Sequence, residues 1–130
     1  MNEASYNGHA DVVHLLLQHN ADANARNSVN QTALTAASVG GHVRIARLLL
    51  EHGALVNVQD YLRNTDLYYA SYFGRFGVVR VLLEHGADPN IRGEGDLTPF
   101  LVATREGYDE IAQFLLKHGA EKEELDGVPS

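Results

Sequence analysis

Apolar residues recur at i, i+3 and i+4 in four short stretches of the chain: Val12, Leu15 and Leu16; Ile45, Leu48 and Leu49; Val78, Val81 and Leu82; Ile111, Phe114 and Leu115. That spacing puts three side chains on one face of an α-helix. Charged residues such as Arg44, Arg47 and Glu51, or Arg80 and Glu84, fall on the other side and read as a solvated face. The four stretches begin 33 residues apart, and a fixed period of that order signals stacked repeats.

Other columns keep the same period without an insertion. They are Gly53-Ala54, Gly86-Ala87 and Gly119-Ala120, with Asn20-Ala21 one step earlier; Thr32, Thr65 and Thr98; Gly8, Gly41, Gly74 and Gly107; Ala4, Ala37, Ala70 and Ala103; and Asn24, Asn57 and Asn90. Within each unit these columns predict two short antiparallel helices. Threonine is a good N-cap, and Pro99 after Thr98 sits at the first helical position, where its missing N–H is not needed. The first helix is expected to end at Gly41, Gly74 or Gly107 and the second at Gly53, Gly86 or Gly119, residues able to turn left-handed at a C-cap. A pair this short cannot bury its own stripe, so each unit must stack on its neighbours.

The pattern of Thr98-Pro99, Ala103, Gly107, Leu115-Leu116 and Gly119-Ala120 resembles the ankyrin repeat, and the resemblance covers residues 1 to about 122. It implies an all-α repeat solenoid of antiparallel helix pairs joined by short β-hairpin loops, with hairpins and first helices lining a concave face. One domain is expected over 1–130: a partial repeat at 1–26, full repeats at 27–59, 60–92 and 93–122, and a polar tail at 123–130. The family's T-P-L-H tetrapeptide reads Thr98-Pro99-Phe100-Leu101, Thr65-Asp66-Leu67-Tyr68 and Thr32-Ala33-Leu34-Thr35, so no unit keeps the histidine. Asp66 is expected to be tolerated, because a carboxylate complements the positive end of a helix dipole. The first unit begins partway through its first helix, which predicts fraying from Met1 to about Glu3 and suggests a fragment of a longer array, the favoured reading, or a chain paired through that end; a monomer or such a fragment is expected.

Composition narrows the function. A chain of 45% hydrophobic and 21% charged residues can form a core, while apolar runs of three or four, as at Leu48 to Leu50, are far too short for a membrane span. A net charge of -7 opposes nucleic-acid binding. No cysteine and no secretory opening point to an intracellular protein, cytoplasmic or nuclear.

Candidate chemistry is sparse. His19, His52, His85 and His118 share one repeat position, but neighbouring helices lie about 8 to 10 Å apart, too far for two such rings to share a zinc ion. They are expected to end the second helices. His9 and His14 are not spaced as in a zinc-protease helix, and Gly93-Glu94-Gly95 carries an acid where a phosphate loop needs none. Asn30-Gln31-Thr32 matches a glycosylation sequon, yet Thr32 is expected to cap a helix. Asn24, Asn57 and Asn90 match the asparagine that ankyrin proteins use to hold the inter-repeat turn, which in some members is hydroxylated. The reading is therefore a non-enzyme with no catalytic residue, cofactor, metal or small-molecule substrate.

What the repeat leaves free is its variable columns. Six of the ten aromatic residues lie between Tyr61 and Phe76. By the resemblance, Tyr61, Leu62, Tyr72 and Phe73 face the concave groove, Val29, Val39 and Leu97 extend the patch, and Gln59, Asn64, Arg92 and Arg105 form a polar rim, the composition of an interface centre and its border. Phe76 and Tyr69 are expected to pack inward. The function expected is a non-catalytic scaffold or adaptor that binds another protein through this groove. Two alternatives accompany it: a direct inhibitor of an enzyme such as a kinase, and an engineered binder or repeat-protein stability model. Units two and three differ at most non-framework positions, which favours a natural or diversified array.

Overall fold

The computed structural model describes residues 1–122, so the expected polar tail at 123–130 lies outside the described residues. Among them the chain forms eight α-helices and no strand: α1 (Asn2–Tyr6), α2 (Ala10–Gln18), α3 (Ala33–Gly40), α4 (Val43–Glu51), α5 (Asp66–Tyr72), α6 (Phe76–Glu84), α7 (Pro99–Arg105) and α8 (Asp109–Lys117). First helices stack in one layer, α1 on α3 on α5 on α7, and second helices in another, α2 beside α4, α6 and α8. The all-α solenoid expected from the period is what forms.

The caps follow the threonine column. Thr65 Oγ1 accepts from the Tyr68 N–H at 3.1 Å and Thr98 Oγ1 from the Leu101 N–H at 3.3 Å, each a bond whose loss costs about 1 kcal/mol. At Thr32 a capping box forms with Thr35, whose Oγ1 accepts from the Thr32 N–H at 3.2 Å. Gly41, Gly74 and Gly107 all turn left-handed, with φ of 75°, 72° and 83°, within one or two residues after the helices end.

Three loops reach out as hairpin tips without becoming strands. The first is closed by Asn27 N–H to Gln31 O and Asn30 N–H to Asn27 O, the second by Asp60 N–H to Asn64 O and Arg63 N–H to Asp60 O, the third by Gly93 N–H to Leu97 O and Asp96 N–H to Gly93 O. Asn30, Arg63 and Asp96 take positive φ, the left-handed residue that completes a three-residue hairpin. Two bonds per tip are too few to extend a ladder.

The core runs continuously through the stack, with Val13, Leu34, Ile45, Leu49, Leu67, Val78, Leu82, Ile111 and Leu115 each no more than 3% exposed. One expectation needs correcting. In α2 the buried residues are Val13 and Leu17, while Val12 and Leu15 are 47% and 55% exposed. The counterparts of Val12, namely Ile45, Val78 and Ile111, are buried, so this column faces the preceding unit, whereas Val13, Ala46, Val79 and Ala112 are buried in every unit. A second correction concerns the N-terminus: α1 runs from Asn2, anchored by Ser5 N–H to Met1 O at 3.0 Å and packed on α3, where fraying was expected.

Candidate protein-binding surface

The centre of the expected patch is the tip from 60 to 64, and a single carboxylate organises it. Asp60 Oδ1 accepts from the N–H groups of Leu62 and Asn64, both at 3.0 Å. Asp60 Oδ2 accepts from Gln31 Nε2 at 3.0 Å and from the Tyr69 hydroxyl. Asn27 does the same in the preceding unit, its Oδ1 accepting from Val29 and Gln31 N–H at 3.0 and 2.9 Å. Short acidic or amide side chains that bond their own backbone two residues on are the usual makers of such turns.

With its base fixed, the tip turns Tyr61 and Leu62 outward, 74% and 54% exposed. The Tyr61 N–H donates to Val29 O at 3.2 Å, which lays this tip against the previous one and puts the exposed Val29 beside it. Gln59 Nε2 donates to Arg63 O at 2.8 Å and to Arg92 O at 3.3 Å, joining the second tip to the third. The three tips are therefore one connected edge.

On α5 an aromatic cluster backs that edge. Tyr68 and Tyr72 stack at 6.5 Å, Tyr72 meets Phe73 edge-on at 4.9 Å, and Tyr68 meets Tyr69 edge-on at 5.8 Å. Phe73 is exposed, and Tyr72, Val39 and Leu97 are half-buried. Tyr69 and Phe76 pack inward as expected, Tyr69 onto Asp60 and Phe76 onto Phe114 at 5.2 Å. Burial, and then the bond to Asp60, push the Tyr69 hydroxyl up to about 12, so it stays a donor. Burial likewise raises Tyr68, with the Glu94 charge adding to it.

Among the expected rim residues, Gln59 and Arg105 are exposed, with Arg105 paired to Glu106 at 3.4 Å, and Arg92 is half-buried with its guanidinium on Asp96 O at 2.8 Å. Asn64 is not at the rim. Only 2% exposed, it accepts from the Glu94 N–H at 2.8 Å and donates to the Tyr69 hydroxyl at 3.2 Å, so it supports the tip from beneath. Gly93 makes that possible, because a Cβ there would stand 2.3 Å from Asn64 Oδ1.

Two residues important here were not singled out from the sequence. Asp60 carried a signal, an acid one position before the tip in the column of Asn27. Tyr68 carried none beyond its place in the altered tetrapeptide. Asp66 behaves differently from its expected role as a dipole partner. Burial, opposed by a hydrogen bond from Thr35 and reinforced by Asp60, pushes its carboxyl from 3.8 up to about 7, and Oδ2 has no hydrogen-bond partner. Desolvation outweighs the helix end.

The remaining columns hold the array together. Asn24, Asn57 and Asn90 each accept from a backbone N–H of the next unit, at Leu55, Asp88 and Glu121, at 2.7 to 2.9 Å, and each donates to the glycine carbonyl that closes the next second helix. His52, His85 and His118 end their helices with Nδ1 on the carbonyl four residues back, at 2.8 to 2.9 Å. Models of the ankyrin repeat match the sequence throughout, three copies over residues 1–93 and one more over 95–126. The chain belongs to the ankyrin-repeat family. No curated protein matches it.

Ankyrin repeats generally mediate protein–protein interaction and are typically non-catalytic. No helix among the described residues is long and apolar enough to cross a membrane. In this ankyrin array the framework columns are occupied by caps, core and inter-unit bonds. The tips and first helices are the surfaces left to vary.

Proposed function

We propose that the chain is a scaffold or adaptor module that grips a protein partner along its concave face, with the unit-three tip as the centre of contact. The observation that carries this is the pair Tyr61 and Leu62, large apolar side chains mostly exposed on a tip whose backbone is pinned by Asp60. Apolar side chains on a rigid mount lose little entropy on binding, and tyrosine is among the residues that dominate interface energies. Val29, Val39, Tyr72, Phe73 and Leu97 extend the patch; Gln59, Arg92 and Arg105 border it. The cytoplasm or nucleus is the compartment this reading takes, from the lack of cysteine.

The test is comparative capture from cell extract, with the intact chain, the Tyr61→Ala/Tyr72→Ala variant, and Leu55→Ser as an exposed apolar control outside the patch. Partners retained by the intact chain and the control should be lost from the double variant, by about 30-fold or more in affinity for a pair of hot-spot residues. Circular dichroism should show equal helix content. Retention by the double variant would refute the assignment.

A further inference from the structure

On the concave side between α1 and α3 lies a hollow of about 420 Å³. It exists because the column that reads Glu3, Ala36, Tyr69 and Val102 has its smallest member in unit two. Ala36, Val39 and Tyr6 line it with apolar surface, and Glu3, Gln31 and Thr35 are among the residues that add polar groups. Two of these groups are already engaged: Thr35 Oγ1 accepts from the Thr32 N–H, and Gln31 gives its Nε2 to Asp60. Tyr6 is 58% exposed, and its carbonyl is held by His42 Nε2 at 2.9 Å, which fixes the end of α1.

Glu3 is the charged residue of this lining, and no cation among the described residues pairs with it. The hollow thus offers an unpaired carboxylate, an aromatic ring and an apolar lining. Those features complement a long-stemmed cation. The methylene stem of a lysine or arginine covers apolar surface while its head keeps a charge partner, and a ring face presented to the head adds attraction. An anion would meet Glu3, and a purely apolar side chain would strip water from the carboxylate with nothing in return.

We infer that this hollow takes a lysine or arginine of the same partner segment whose apolar residue meets the unit-three patch. The inference rests on the concave-face reading proposed above. From the hollow to α5 is one and a half helix spacings, about 12 to 15 Å, which an extended chain covers in about four residues. The partner is therefore an extended segment with a basic residue about four positions from a large apolar one.

A phage-displayed library of random peptides about 12 residues long, enough to span the groove extended, tests this when panned on the intact chain. Recovered peptides should carry Lys or Arg about four positions from an aromatic or large aliphatic residue. A synthetic peptide from that set should lose about tenfold in affinity to Glu3→Gln, the scale of one charge pair. Replacing its cation by alanine should cost at least that much against the intact chain and about tenfold less against Glu3→Gln, where only the stem and ring contacts remain to be lost. Glu3 is exposed, so the variant should fold unchanged by circular dichroism.

Equal cost of the cation in both backgrounds, no basic preference, or no recovered peptide overturns the inference. Peptides that ignore Glu3 but need Tyr61 and Tyr72 overturn the hollow and leave the groove reading standing. Peptides coupled to Glu3 but indifferent to Tyr61→Ala/Tyr72→Ala overturn the groove reading, and the shared segment with it.

Discussion

Asp66 is a carboxyl that folding takes out of water. It opens α5, is 2% exposed, and leaves Oδ2 without a hydrogen-bond partner. Burial first, and Asp60 after it, raise its pKa from 3.8 to about 7 against the pull of the Thr35 bond. The folded state therefore holds a proton that the unfolded chain has released. Stability from this group is fully present below about pH 4 and is lost as pH rises towards 7, at about 1.4 kcal/mol per unit. The total over that window is about 4 kcal/mol. Asp66→Asn removes the titration while keeping the size. Its buried amide donor costs about 1 to 3 kcal/mol at every pH, so the informative quantity is the difference between variant and wild type as pH changes. Urea unfolding followed by circular dichroism should show that difference rising in the variant's favour by about 2 to 3 kcal/mol between about pH 5 and pH 7, then levelling. A difference that stays constant, or that falls with pH, would refute the argument that burial dominates at this site.

Further substitutions separate the forces that hold the array. Leu49→Ala, at a fully buried position, should cost about 2 to 5 kcal/mol in chemical denaturation. Asn57→Ala removes the bonds to the Asp88 N–H and the Gly86 carbonyl, both exposed to water, and should cost about 1 to 2 kcal/mol. Gly74→Ala should destabilise more than Gly53→Ala: both residues have positive φ, but a Cβ at 74 meets the Tyr108 ring at 2.6 Å whereas one at 53 meets nothing within 4 Å. Equal melting temperatures for the two glycine variants would show that the ring moves aside freely.

The helices, their caps and their order were legible because a repeat writes the same local physics several times. Thr32, Thr65 and Thr98, or Gly53, Gly86 and Gly119, each identify a boundary that one instance would leave ambiguous. What the period hides is the difference between instances. It could not say that Val12 and Leu15 face away from the second unit, because a column shows spacing and not which edge a neighbour covers. Asn64 fell in a variable column and read as rim; its burial depends on Gly93, one unit later, which lets the third tip close over it. Asp66 read as a helix-end charge, since the dipole is local and visible in sequence while desolvation belongs to the packed stack. The exposure of Tyr61, Leu62 and Phe73 was legible from their variable columns, whereas Tyr69 and Phe76 in the same stretch pack inward. The hollow was not legible, because it comes from the contrast of Ala36 with Tyr69 across two units.

The central claim is that the concave edge around Tyr61, and not the outer helices, is the surface that binds. Hydrogen–deuterium exchange on the chain, alone and saturated with a partner recovered by the capture experiment, tests it most directly. The account predicts slowed exchange over 59–64 and 72–73 with α4, α6 and α8 unchanged. Protection confined to those second helices, with the tips exchanging as in the free chain, would contradict it.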